Sequence, residues 1–417
     1  MSSEGWFPGP YGLDIAMGAT VRTQRTVLAV AHHLTAVTRL NDVLALVEPD
    51  PRVQTVYTVA PSSVFSRGAA DHLRAMGVCL ISFDHATQMF WDLVLAAGDG
   101  ALERLHAPIL HLQHGMGPSM LGQRWAGAGT AAPRPVAGLR REAFVAGGRV
   151  IPSVIGLAHE DHKKLLLEIC PEARSAVRLV GDLAWDRIVE SRPLRPYYRE
   201  ALGVTDDRRL LLISSTWGPR GLFGAHHDLI RRLATELPSE RYAVVVALHP
   251  ATWSWHGRKQ TIAWSAGGLR AGAGLLPPHE GWRAALLAAD VILGDFGTAS
   301  YYGAAIGAPV LLAAFPDGDA VPGSQAELFG SLVPRWSPER PLLHQIEARA
   351  EYGVDSESSV SRALRDRLTS EPGRAAALLR REIYRLLRLD EPLDDPTPDP
   401  VPAPRLLSGS SDLEPVL

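Results

Sequence analysis

The sequence has little cysteine, little lysine and no surplus of positive charge, and each shortage removes a class of function. Two cysteines in 417 residues, Cys79 and Cys170, cannot build a disulfide framework or a structural zinc site of their own, and they suit a reducing compartment. Three lysines, Lys163, Lys164 and Lys259, stand against 39 arginines, so lysine-based catalysis is not expected. The formal net charge of −3 lacks the broad basic field of nucleic-acid-binding proteins and polybasic membrane anchors, and no nucleic-acid partner is expected. No apolar run approaches the ~18 to 20 residues of a membrane span, and the N-terminal MSSEGWFPGPYG has no basic segment followed by an apolar one. Also missing are a G-x-S-x-G elbow, a Walker A lysine loop and a G-x-G-x-x-G after the first strand. Hydrolase, P-loop and dehydrogenase chemistries therefore lack their usual signals, which leaves group transfer.

What is present is a repeated alternation of strand and helix. TVLAVA at 26–31 reads as a buried strand and the amphipathic LTAVTRLNDVLALV as the helix after it. The pattern recurs at VQTVYTVA (53–60) and VCLISF (78–83), and PILHLQ (108–113) closes the series. Such alternation predicts a parallel sheet covered on both faces. A second series opens with RRLLLISS (208–215), continues through YAVVVAL and ends in a βαβ unit over 285–315. At this length one core is not enough. The expected fold class is α/β, two doubly wound Rossmann-like domains facing a cleft. The expected boundaries are an N-terminal extension over 1–24, one domain over 25–190, an interdomain crossover over 191–207, a second domain over 208–389, and a disordered, acidic, Pro-rich tail over 390–417. Residues 115–149 are rich in Gly, Ala and Pro without periodicity and read as a substrate loop.

Four segments at strand ends could carry chemistry. Asp295-Phe296-Gly297-Thr298-Ala299-Ser300 follows the strand VILG and starts a helix, so its amides and small side chains suit a diphosphate. An ordinary capped helix with Thr298 as the cap is the alternative. His249-Pro250 ends YAVVVAL, where an imidazole can donate to phosphate or simply pack. Ser214 to Arg220, with Ser215, Thr216 and Arg220, offers hydroxyls, amides and a guanidinium to a phosphate group. In the first half, Gln113-His114-Gly115-Met116-Gly117 follows PILHL. His114 is the candidate general base, with Gly115 and Gly117 letting an acceptor come close; a packed histidine in a turn is the alternative. The pairs His32-His33, His159/His162 and His226-His227 read as solvated or core histidines, and no metal site is expected.

These segments, in this order, resemble the CDP-glycerol glycerophosphotransferases, teichoic-acid-polymerase-like enzymes of the GT-B fold. Gln113-His114-Gly115 is similar to the family's W-H-G, VGDLAWDRI (180–188) to its G-x-P-x-x-D, SSTWGPR (214–220) to its P-T-W-R, and His249-Pro250 to its H-P. ADVILGDFGTASYYGAAIGAPVLLAAFP (289–316) is similar to its D-x-x-x-x-D-Y-S-S-x-x-x-D segment, although Tyr301, Tyr302 and Gly303 stand where the later aspartate is expected. The resemblance covers residues 105–320. It implies a transferase that moves a glycosyl or polyol-phosphate group from a CDP- or UDP-linked donor to a hydroxyl acceptor, in cell-wall glycopolymer or specialised-metabolite assembly. His114 would activate the acceptor in the first domain, while Arg220, His249, Asp295, Thr298 and Ser300 hold the nucleotide diphosphate in the second. No cofactor is implied beyond that donor. The implied location is the cytoplasm, with peripheral contact at the inner face of the membrane left open. A nucleotide-sugar epimerase or hydrolase of the UDP-N-acetylglucosamine 2-epimerase type shares the fold, and an inert nucleotide- or protein-binding module is a further alternative.

Overall fold

The computed structural model describes residues 19–122 and 134–407, with the backbone of Phe7–Pro8. The chain divides into two compact units. Met1–Asp186 and Thr369–Asp399 form the first, Arg187–Leu368 and Pro400–Leu417 the second. Each is a doubly wound, Rossmann-like α/β unit built on a parallel sheet, the fold class the alternation predicts.

The first sheet comprises β1 (Arg25–Ala31), β2 (Val53–Val59), β3 (Leu93–Ala96), β4 (Ile109–Leu112), β5 (Val154–Leu157) and β6 (Val177–Leu179), in the order β6-β5-β4-β3-β1-β2. Strands β3, β4 and β5 are buried along their whole length, as parallel strands between two helical layers must be. The helix Leu34–Leu44 buries Leu34, Val37, Leu40 and Leu44 at helical spacing against this sheet. VCLISF does not supply a sheet strand. It touches β2 at one bridge, Tyr57 to Leu80, and the strand beside β1 is the later Leu93–Ala96, whose four apolar residues fill the central position.

The helix Ala375–Leu387, expected in the second domain, belongs to the first unit. Its Leu379, Ile383, Tyr384 and Leu387 join the core around Leu40 and Leu73. The Tyr384 hydroxyl donates to Asp50 at 2.7 Å, and the Asp186 carboxylate accepts the amides of Gly373 (2.9 Å) and Ala375 (3.0 Å) at the start of the helix. The apolar stripe thus decides the placement, against order in the chain. Most of the expected extension over 1–24 lies outside the described residues, although Phe7–Pro8 pairs in parallel with Met89–Phe90.

The second sheet comprises β7 (Arg209–Ser215), β8 (Tyr242–Leu248), β9 (Gly274–Leu275), β10 (Val291–Gly294) and β11 (Val310–Leu312), ordered β9-β8-β7-β10-β11. The stretch expected as a crossover, 191–207, is a packed part of this unit. Within its helix Arg195–Ala201, Arg195 and Arg199 bind the Asp290 carboxylate at 2.6 and 2.7 Å, and Asp290 also accepts the amide of Leu210 at the start of β7. The tail is also ordered through Leu407. Val401 is 2% exposed, its carbonyl accepts the Tyr198 hydroxyl and its amide donates to Ser191, and the amide of Leu407 donates to Leu275. The acidic composition misled here because a few apolar residues suffice to anchor the segment. Residues 408–417 lie outside the described ones.

Strand order reverses once in each sheet. In the first unit it reverses at β1, flanked by β2 and β3, and in the second at β7, flanked by β8 and β10. The loops after these strands diverge there, which makes the crevice in which open α/β sheets hold ligands. No helix among the described residues is long and apolar enough to cross a membrane.

Candidate functional site

At the reversal in the second unit, the loops after β7 and β10 are joined through Asp295. This residue is wholly buried. Its Oδ2 accepts the amides of Thr216 and Leu222, both at 2.8 Å, and the Ser215 hydroxyl at 3.3 Å, while Oδ1 accepts the amide of Gly297 at 2.9 Å. Burial pushes the carboxyl up to about 6, against the opposing pull of these hydrogen bonds. Ser300 is buried too and its Oγ accepts the amide of Asp295 at 3.1 Å. Gly294 permits this, since a Cβ there would lie 2.1 Å from that oxygen. The Ser215 hydroxyl accepts the amide of Phe223 at 2.9 Å, and its one proton is shared between Asp295 and the nearer Thr216 carbonyl at 2.8 Å. Asp295, Ser215 and Ser300 were expected at a ligand. Instead their side chains face inward and fix the loops.

The surface of the same corner is made by other residues. Gly297 occupies the cap position of the helix Thr298–Ile306 with no side-chain cap bond, so Thr298 is the first helical residue and not its cap. Gly297, Thr298 and Thr216 are partly exposed. His249 follows β8, its amide donates to the carbonyl of Ser215, and its Nδ1 accepts the amide of Ala251 at 3.0 Å. That acceptor role puts the proton of the neutral ring on Nε2. Arg220, 53% exposed along its side chain, is ion-paired with Asp319. Its guanidinium is therefore not an isolated phosphate ligand, because the buried carboxylate already draws it in.

At the reversal in the first unit the loops after β1, β3 and β4 converge with an imidazole on each side. The ring of His114 donates from Nδ1 to the carbonyl of Ala97 at 3.1 Å. A carbonyl only accepts, so the neutral ring keeps its lone pair on Nε2. The residue as a whole is exposed, yet desolvation of the ring by the surrounding protein holds its pKa below the ordinary imidazole value of 6.5, with Asp99 and the Ala97 carbonyl pulling the other way. The neutral form of the ring is thereby favoured. Gly115 and Gly117 have φ of +73° and +92°, in the left-handed region that glycine adopts without strain. A Cβ on Gly117 would also meet Cε1 of the buried His162 at 2.3 Å. The carbonyl of Gly115 accepts from Arg39, which is fixed by a 2.9 Å ion pair with buried Asp182.

Two features of this corner were not legible in the sequence. His33, read as a solvated or core residue, lies edge to face with His114, ring centroids 4.6 Å apart. Asp99, after β3, binds Nε2 of His111 at 3.0 Å. Burial alone would raise the Asp99 carboxyl, but His111, His114 and His32 outweigh it and hold the group below the usual range. His32 itself is buried and its pKa is lowered to about 4, chiefly by desolvation. The only signal in the sequence was position, since His32 and His33 come directly after β1 and Asp99 lies three residues beyond the end of β3. The expected substrate loop includes residues 123–133, which lie outside the described ones. Among the described residues no cluster of three His, Cys, Asp or Glu is placed to hold a metal ion.

No family model matches the chain, and no curated protein matches it in sequence. Solved structures match it in fold. The wall teichoic acid polymerase TagF soaked with CDPG is 10% identical, with 88% of this chain and 89% of that chain covered and a TM-score of 0.57. Another TagF structure gives 12% identity, the same coverage and a TM-score of 0.52. The S. aureus MnaA–UDP co-structure is 14% identical over 89% of this chain and 100% of that one, TM-score 0.52. The paired Rossmann-like units are therefore those of the GT-B architecture.

Proposed function

We propose that the chain is a transferase that takes a glycosyl or polyol-phosphate group from a CDP- or UDP-linked donor and passes it to a hydroxyl acceptor. The reading rests first on His114. A hydroxyl needs a proton acceptor as it attacks, and the Ala97 carbonyl fixes the tautomer in which Nε2 can serve. In the step, the acceptor O–H gives its proton to Nε2, and its oxygen forms the new bond to the transferred phosphorus or anomeric carbon. The bond from that atom to the nucleotide phosphate breaks, and its electron pair leaves with the nucleotide.

The donor binds the second unit. The first-turn amides of the helix that Gly297 caps, with Thr298, Thr216 and the Nε2–H of His249, meet the diphosphate. Arg220 contributes if the phosphate shares it with Asp319. Asp295, Ser215 and Ser300 act by holding this corner in shape. TagF with CDPG and MnaA with UDP support a nucleotide of this class at fold level. We place the reaction in the cytoplasm, where Cys79 and Cys170 stay free thiols. Calorimetric titration of CDP and UDP, followed by a panel of their linked donors, tests the reading. Binding with turnover supports it, binding without turnover across the panel supports an inert binding module, and release of free or epimerised sugar without an acceptor supports the epimerase or hydrolase alternative.

A further inference from the structure

A cavity of about 30 Å³ opens into the first unit beside the loop that carries His114. Its floor is apolar, made by Leu112 at the end of β4, Val180 after β6 and Leu379 of the helix Ala375–Leu387, all of them buried. Gly156 in β5 gives these side chains their room, since a Cβ there would lie 2.6 Å from Cδ2 of Leu112 and 2.9 Å from Cγ2 of Val180. Arg39, Asp182, Gln113 and Gly115 also line the cavity. The Arg39 guanidinium is held by the Asp182 carboxylate at 2.9 Å and donates to the Gly115 carbonyl at 3.3 Å, while Asp182 also accepts the amides of Ala184 and Trp185. The two charges are thus satisfied by each other, and a charged ligand of either sign would have to break an ion pair whose carboxylate is buried. Gln113 differs. Its Oε1 is buried and has no hydrogen-bond partner among the described residues, a state that buried polar atoms rarely keep.

We propose that this cavity binds the hydroxymethyl end of a polyol or sugar, with Gln113 Oε1 accepting its O–H and its CH2 lying on the apolar floor. Size sets the limit. A buried water needs ~10 to 15 Å³, so a space of this volume admits a group of about two non-hydrogen atoms and no ring. The mutually paired charges favour an uncharged group, and the orphaned oxygen needs a donor. The proposal rests on the transferase reading given above and adds to it the group by which the acceptor is held. Gln113 and Gly115 flank His114 in the chain, so an acceptor anchored by one end is kept at the loop that carries the base while another of its hydroxyls reacts. Gln113 is then a binding residue for the acceptor, and His114 the catalytic base.

Gln113→Met removes the amide at nearly constant volume, and because Oε1 has no partner in the protein to leave unpaired, the thermal midpoint should hold. Protein labelled with nitrogen-15 at glutamine gives a readout that needs no turnover. The side-chain signal of Gln113, identified by its absence from Gln113→Met, should shift on titration with glycerol and stay in place with 1,2-dimethoxyethane, which has as many non-hydrogen atoms but no O–H. No shift with glycerol, or an equal shift with both, overturns the proposal and leaves the cavity to water. Transfer from CDP- and UDP-linked donors to glycerol, followed by mass spectrometry, adds the kinetics. Gln113→Met should raise KM for glycerol by about 10-fold, with kcat changed less. An unchanged KM also overturns the proposal. Turnover of glycerol without the Gln113 shift would end the cavity assignment and keep the transferase reading. The shift without turnover of any donor would keep the cavity as a hydroxymethyl site and end the transferase reading.

Discussion

Thr216 and Asp295 lie 79 residues apart in the chain, and the amide of the first donates to the carboxylate of the second at 2.8 Å. The bond ties the loop after β7 to the loop after β10. Together with the amides of Leu222 and Gly297 on the same carboxylate, it sets the shape of the corner to which we assign the diphosphate. Asp295→Asn tests this directly. An amide has one acceptor oxygen where the carboxylate has two, so at least one buried N–H would face the new NH2 group. Chemical denaturation should show a loss of about 1 to 3 kcal/mol, with weakened nucleotide binding.

The same residue predicts a pH dependence. Its pKa is raised in the folded protein from 3.8 to about 6, so the folded state holds this proton more tightly than the unfolded chain does. The contribution is complete below about pH 3.8 and is lost as pH rises through about 6. The stability gap between wild type and Asp295→Asn should therefore be wider at pH 5 than at pH 7.5. A gap that widens with rising pH would mean that the hydrogen bonds to the carboxylate outweigh its burial.

His249 and Thr298 are expected to touch the donor. Alanine at either position should weaken CDP or UDP binding by roughly 1 to 3 kcal/mol by calorimetry, the loss associated with hydrogen bonds to charged groups. For His249→Ala the cap on the helix Pro250–His256 is also lost. Thr298 caps no helix, so Thr298→Ala is the cleaner of the two. Full affinity in both variants would move the diphosphate elsewhere.

The central strands, the DFGTAS turn and the Gly-flanked His114 were legible because hydrophobic runs and glycine turns act over a few residues. Direction was not. Asp295, Ser215 and Ser300 belong to the corner to which we assign the diphosphate but point inward, and only the backbone conformation of two distant loops decides that. His33 and Asp99 escaped notice because their partners, His114 and His111, come from other strands and meet only once the strand order is fixed. The helix Ala375–Leu387 and the segment around Val401 carry no mark of which core they join. Their apolar side chains fit either unit by composition, and packing alone assigns them.

Gly117→Ala should damage the first unit's loop for two independent reasons, the left-handed backbone at +92° and the clash with buried His162. Because the neighbour cannot swing into solvent, the cost should be about 1 to 3 kcal/mol. Transfer should fall while nucleotide affinity, which we assign to the other unit, holds. Equal loss of both would show that the loop supports more than the acceptor side.

The central claim is that His114 is the base of a transfer reaction, and its direct test is the rate of nucleotide release from CDP- and UDP-linked donors, followed by mass spectrometry as a function of pH in wild type and His114→Ala. The account predicts release by wild type with an acid limb below pH 6.5, since the ring's pKa is lowered from that value, and a plateau above it. It predicts a ~10²- to 10⁴-fold slower reaction in His114→Ala, at nearly unchanged nucleotide affinity. Wild-type rates in His114→Ala, or an acid limb that persists in that variant, would contradict it.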